Sequence, residues 1–272
     1  MIQKCSLIGG GVMAEAVLAG ILKRGLLQAN QITVGEPLPA RRQELASRYA
    51  VAVTDDNAAA VQGAELVILA VKPQQASNAL SQLDGAVDSQ ALVVSIVAGL
   101  ELHTLARDLP SAAIVRVMPN TPARVGEGMS VWVATPETTS EQLALVGDLL
   151  SALGDQVQVH DEKLINVATA LSGSGPAYVF LFIEALADAG VELGLNRALA
   201  ERLAWQTLRG AAIYGMSSGE HPALLRNQVT SPGGTTAAAL AALEAGGWRS
   251  ALREAIQACY TRACQLGETE KP

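Results

Sequence analysis

Residues 5–14 read Cys5-Ser6-Leu7-Ile8-Gly9-Gly10-Gly11-Val12-Met13-Ala14, a strand-sized run that breaks into three glycines and then into a helix-like stretch. Gly-x-Gly-x-x-Ala at a strand-to-helix turn is the spacing of a dinucleotide-binding fingerprint. Gly9 permits the tight turn, and Gly11 lets the backbone approach a pyrophosphate whose charge the helix N-terminus favours. Ala14 lets the helix pack closely on the strand. A plain tight turn would account for glycines alone; the strand before them and the helix after them favour the dinucleotide.

Seven further β-rich runs follow at Ile32–Val34, Val51–Val53, Leu66–Val71, Leu92–Val97, Ile114–Met118, Met129–Ala134 and Gln156–Val159, separated by helix-like stretches. Continuous rather than alternating apolar runs mean strands covered on both faces, as in a mostly parallel sheet with helices on either side. Residues 1–159 are therefore expected to form a Rossmann-like α/β domain that binds NAD(P). From Asp161 onward there are only Ala- and Leu-rich helical stretches punctuated by Gly and Pro. Residues 160–272 are expected to form an all-helical dimerisation and substrate-binding domain.

Within it, Ala177–Val191 is apolar almost all round, relieved by Glu184, Asp188 and Glu192. Such a helix must be buried. So small a domain would struggle to cover it alone, and a partner chain is the expected cover, giving a homodimer.

The chain has 272 residues, half of them hydrophobic, 17% charged, with a net charge of -7 and only 2 Phe, 3 Trp and 4 Tyr. That balance suits a folded protein and lacks the basic surface and stacking rings of nucleic-acid binding. No uninterrupted apolar run approaches the ~18–20 residues of a membrane span. The N-terminus enters a strand without a charged leader, so a cytoplasmic protein with no membrane partner is expected. Cys5, Cys259 and Cys264 lack a metal-ligand spacing and read as free thiols, with no metal site.

Other motifs sit where an α/β sheet binds ligands, at the carboxyl ends of strands. Glu36 closes the second strand and could accept from an adenosine ribose or be a solvated loop charge. Arg41 and Arg42 downstream could meet a 2′-phosphate, which leaves NAD(H) and NADP(H) both open. Thr54-Asp55-Asp56-Asn57 reads as a capping cluster, with Asn57 able to touch the adenosine end. Ala70-Val71-Lys72-Pro73 and Ser95-Ile96-Val97-Ala98-Gly99 leave the fourth and fifth strands; Lys72 reads equally well as a surface lysine. Met118-Pro119-Asn120-Thr121-Pro122 is a rigid turn offering amide and hydroxyl groups. In Leu171-Ser172-Gly173-Ser174-Gly175-Pro176 the proline is expected to bend or break a helix. Thr230-Ser231-Pro232-Gly233-Gly234-Thr235-Thr236 opens another helix, and its N–H groups and hydroxyls make a carboxylate cradle. His103, His160 and His221 read as surface or helix-end residues, and Arg116 and Arg124 as structural or surface charges.

In these motifs, taken in order and almost end to end, the chain resembles the pyrroline-5-carboxylate reductase family. The resemblance implies reduction of 1-pyrroline-5-carboxylate to L-proline by NADPH or NADH, the last step of proline biosynthesis. It also implies a homodimer with an interlocked helical domain, able to assemble further into a decamer. By matching position, Gly9, Gly10, Gly11, Val12, Met13, Ala14, Glu36, Asn57, Ala70, Val71, Lys72 and Pro73 would hold the cofactor, with Ala98 and Asn120 toward its nicotinamide side. Thr169 would lie beside the nicotinamide; Ser231, Gly233, Gly234 and Thr235 would cradle the substrate carboxylate, and Thr236 would hydrogen-bond the ring nitrogen. The chemistry agrees, because an iminium carbon accepts hydride without a metal or a nucleophile and needs mainly positioning and exclusion of water. Two alternatives share parts of the pattern: a reductase of another small imine or keto acid, and a non-catalytic NAD(P)-binding sensor, which would have no use for the carboxylate cradle.

Overall fold

The computed structural model describes residues 2–109 and 113–268. It divides into two compact units, Met1–Ser174 with Cys259–Pro272, and Gly175–Ala258.

The first unit is built on one eight-stranded sheet: β1 (Cys5–Ile8), β2 (Ile32–Gly35), β3 (Ala52–Thr54), β4 (Leu66–Leu69), β5 (Leu92–Ser95), β6 (Ala113–Met118), β7 (Gly128–Ala134) and β8 (Gly154–Gln158). All eight expected runs are strands. Their order is β3-β2-β1-β4-β5-β6-β7-β8, parallel except where β6 meets β7. Side-chain alternation explains why the central runs are apolar without a break. Leu7, Leu66, Ile68, Leu92 and Val94 point into one buried cluster, while Ile8, Val67, Leu69 and Val93 point into another. Helices α1 (Val12–Arg24), α2 (Pro39–Tyr49), α3 (Asn57–Val61), α4 (Ala76–Leu83), α5 (Leu102–Asp108) and α6 (Ser140–Ser151) connect the strands. Their ends are signalled locally: Asp56 caps α3 by accepting from Ala59 N, and Thr139 and Gln142 form a reciprocal capping box on α6.

Arg116, on β6, is a buried structural charge, 2% exposed. Its guanidinium donates to Glu162 at 2.7 Å and to Asn166 at 3.0 Å, which anchors α7 (Lys163–Ala168) to the sheet. Arg124 is exposed, as are His103 and His160.

Among the described residues no strand follows β8. After α7 come α8 (Gly175–Glu192), α9 (Arg197–Ser218), α10 (Pro222–Gln228), α11 (Thr235–Ala245) and α12 (Trp248–Glu268), whose last turns belong to the first unit. In the second unit α8 packs on α9 through Ile183, Ala187, Ala200 and Ala204, with Phe180 tilted against Trp205 at 6.0 Å. The rest of α8 is left uncovered by its own chain: Leu181 is 65% and Phe180 52% exposed. Residues 163–192 are also long and apolar enough by composition to cross a membrane.

Burial pushes the Cys5 thiol up to about 12, so it stays protonated and unreactive at neutral pH. Alkylation of the native protein followed by intact mass and peptide mapping is expected to leave Cys5 unlabelled, whereas the unfolded chain labels all three cysteines. Rapid native labelling of Cys5 would contradict its place at the centre of the sheet.

Candidate active site

The glycine turn is shaped by close approach. Gly9 has φ +96°, and its N–H donates to Gly35 O at 2.7 Å. A Cβ there would lie 2.9 Å from the Ala70 carbonyl oxygen, so only glycine fits. Gly10 donates from its N–H to Glu36 Oε2 at 2.9 Å, and a Cβ on it would strike Leu45. At Gly11, the N-cap of α1, a Cβ would meet nothing within 4 Å, and no side chain caps the helix. The first-turn N–H groups of α1 thus face open space, which suits an anion. Ala14 is buried under the helix, as close packing on the strand requires.

This turn borders a cavity of about 510 Å3. Of the expected cofactor residues, Gly9, Gly10, Gly11, Val12, Glu36, Asn57, Ala70, Val71 and Lys72 line it. Met13 packs against the core, Pro73 begins a short 3-10 turn, and Ala98 and Asn120 lie elsewhere. Glu15, Arg41, Asp55, Gln75, Asn78 and Gln82 also line the cavity. Sequence reasoning passed over Gln82, whose one signal is its bond to Asn57 Nδ2 at 2.7 Å, made between residues far apart in the chain.

Glu36 is no solvated loop charge. It is 8% exposed, and its two oxygens accept from Gly10 N and Leu38 N, each at 2.9 Å. One acceptor site on each oxygen remains for a ribose hydroxyl. The arginines are already engaged. Arg41 donates to Gly10 O and pairs with Glu15 and Glu44, while Arg42 donates to Glu36 O and Pro37 O and pairs with Asp55. Burial alone would push the Glu15 carboxyl up, but hydrogen bonds from Arg41 and Tyr49 and the charges of Arg41 and Arg48 outweigh it and hold the group below the usual carboxylate range. An open helix N-terminus, a glycine turn without side chains and a buried carboxylate at the end of β2 together fit a dinucleotide.

The Leu171–Pro176 interruption is a π-helical turn over Thr169–Gly173, closed by Ser174 N donating to Thr169 O at 2.8 Å. Pro176 falls in the first turn of α8, where proline is tolerated, so the break precedes it. The Thr169 hydroxyl donates to Ile165 O at 2.7 Å, which leaves it free to accept. The Asn120 amide is committed at both ends, donating to Ser172 O at 3.0 Å and accepting from Met129 N at 2.9 Å.

In the helical unit, Gly234 caps α11 without a side-chain bond, and Gly233 takes φ +70°. Gly234 N donates to Ser231 O at 3.0 Å, and a Cβ on Gly234 would strike the Ser231 hydroxyl, so Ser231 sits against a helix start that has no side-chain cap, which suits an anion. His221 caps α10 by accepting from Ala223 N.

Two family models match the chain: one described as pyrroline-5-carboxylate reductase dimerisation over residues 162–266, and one described as NADP oxidoreductase, coenzyme F420-dependent, over residues 4–99. A pyrroline-5-carboxylate reductase of Synechocystis is 47% identical over 96% of this chain and 97% of its own, and one of Arabidopsis thaliana is 40% identical over 98% and 96%. Among solved structures, a pyrroline-5-carboxylate reductase from Coxiella burnetii superposes with a TM-score of 0.88 at 35% identity, over 97% of this chain and 98% of its own. A Plasmodium falciparum pyrroline carboxylate reductase with NADP bound has a TM-score of 0.88 at 30% identity over the same shares.

Replacing Glu36 with serine removes the carboxylate that a 2′-phosphate would face. Fluorescence titrations of the Glu36→Ser variant are expected to shift the NADPH-to-NADH affinity ratio toward NADPH by roughly tenfold, about 1.4 kcal/mol. An unchanged ratio would show that Glu36 does not face the adenosine ribose.

Proposed function

The chain belongs to the pyrroline-5-carboxylate reductase family, and from that membership and its site we infer that it transfers hydride from NADPH or NADH to the C=N bond of 1-pyrroline-5-carboxylate, giving L-proline. This is the last step of proline biosynthesis. The observation that carries the substrate side is the start of α11 after Ser231 and Gly233, where Gly234 caps the helix without a side-chain bond and the first-turn N–H groups, those of Thr235 and Thr236 among them, have no acceptor within the helix.

The bound nicotinamide supplies the hydride. The residues of this chain do the rest. Gly9–Ala14 would receive the pyrophosphate at the α1 N-terminus, Glu36 and Asn57 would take the adenosine end, and Ala70–Pro73 with Ala98 would border the path toward the nicotinamide. Thr169, whose proton is already given to Ile165 O, would accept from the carboxamide. Ser231, Gly233, Gly234 and Thr235 hold the substrate carboxylate, and the Thr236 hydroxyl holds a proton at the ring nitrogen. An iminium carbon needs no further activation, so orientation and exclusion of water supply the acceleration. His221 is spent as a helix cap, which agrees with a reaction that needs no imidazole acid.

Residues 160–272 serve dimerisation and substrate binding in this reading. A second copy of the chain, rather than lipid, covers the open apolar faces of α8, and the match to a dimerisation model over residues 162–266 supports this. A homodimer is the unit of assembly, with a decamer as its larger form, and the enzyme works in the cytoplasm.

The Thr236→Ala variant tests the assignment. Its turnover is expected to fall by roughly 100-fold, while its dissociation constant for NAD(P)H, followed by nicotinamide fluorescence, stays within about twofold of the parent because the dinucleotide does not depend on α11. Unchanged turnover would remove Thr236 from the reaction.

A further inference from the structure

Two motifs that looked separate in the sequence, Asn120-Thr121-Pro122 and Ser172-Gly173-Ser174-Gly175-Pro176, form one device. In a continuing α-helix the carbonyl of Ser172 would accept from the N–H four residues on. That residue is Pro176, which has no N–H. The missing donor comes from across 52 residues of chain, where Asn120 Nδ2 donates to Ser172 O at 3.0 Å. The amide cannot turn round, because Asn120 Oδ1 accepts from Met129 N at the start of β7, at 2.9 Å. The strand end packs on the same turn: a Cβ on Gly173 would lie 2.7 Å from Met118 Cε. The turn so held is the π turn Thr169–Gly173, a geometry that rarely persists without outside support and that clusters at functional sites.

We propose that Asn120 is a positioning residue: its amide replaces the N–H that Pro176 lacks, fixes the π turn, and thereby sets the position of Thr169 against the reduced nicotinamide. The proposal rests on the reading that Thr169 accepts from the carboxamide. Asn120 itself then need not touch the cofactor, and both ends of its side chain are accounted for. Losing the bond removes the side-chain donor from Ser172 O and lets the turn relax toward α-helical spacing, which moves Thr169 by a fraction of a turn. Hydride transfer is sensitive to displacements of that size, whereas binding of the substrate carboxylate at the start of α11 is not.

The test uses the full-length enzyme with Asn120→Ala and Asn120→Asp, measuring kcat, KM for each substrate, thermal stability, and the isotope effect with cofactor deuterated at the transferred position. For Asn120→Ala, kcat is expected to fall by roughly 10- to 100-fold, with KM for 1-pyrroline-5-carboxylate within about twofold and a larger isotope effect as the hydride step becomes limiting. In Asn120→Asp the carboxylate can still accept from Met129 N but faces Ser172 O with no proton. Its activity relative to the parent at the same pH is expected to recover as the pH falls and the carboxyl gains a proton to donate. That recovery keeps the test decisive should the alanine variant fold poorly. Unchanged kcat and isotope effect for Asn120→Ala, or no acid recovery for Asn120→Asp, would overturn the proposal. Thr169→Ala separates the two layers: no loss there would put the reading of Thr169 at fault, whereas loss at Thr169 with none at Asn120 would overturn the positioning role alone.

Discussion

The close approach of Gly9 to the Ala70 carbonyl, with the Gly9 N–H bonded to Gly35 O, ties three strand ends into one edge. Any side chain at Gly9 would push β1 away from β4, and its φ of +96° would be strained for any other residue. From this joint the rest of the cofactor side follows. α1 starts at Val12 with its N–H groups unspent, Glu36 folds back to brace Gly10 and Leu38, and the turn after β4 borders the same cavity. Two-sided burial of the central strands makes the edge rigid, because a shift of one residue in β1 or β4 would exchange the contents of two packed clusters.

Glu15, Glu36, Arg41 and Asp55 at the cavity each have a hydrogen-bond or ion-pair partner, and the start of α1 beside them has no side-chain cap. That distribution suits a reaction in which the substrate and the cofactor are both anions and neither requires a metal or a strong protein acid. Helix termini offer fixed partial charge without a side chain that could be alkylated, protonated or reduced in its place. Glu15 on α1 pairs with Arg41 and Arg48 on α2 and clamps the two helices together, while Arg42 pairs with Asp55 beyond β3; together these bonds hold the walls of the cavity in place.

The strands were legible because two-sided burial leaves unbroken apolar runs, and their ends shifted by only one or two residues on folding. The glycine turn was legible because at Gly9 no other residue type satisfies both the backbone conformation and the close contact with Ala70. Glu36 was ambiguous because its partners are backbone N–H groups of Gly10 and Leu38, which leave no trace in the sequence. The π turn was harder still. Pro176 announced an interruption, but the bond that stabilises it comes from Asn120, and nothing local relates the two. The apolar circumference of α8 was evident from composition, and its own chain leaves Phe180 and Leu181 exposed.

Mixing the purified protein with 1-pyrroline-5-carboxylate and following loss of nicotinamide absorbance, with NADPH and NADH in parallel and proline quantified at the end, measures the reductase activity most directly. Oxidation of the nicotinamide with one proline formed per cofactor consumed is the predicted result. Binding of dinucleotide with no oxidation and no proline would contradict it.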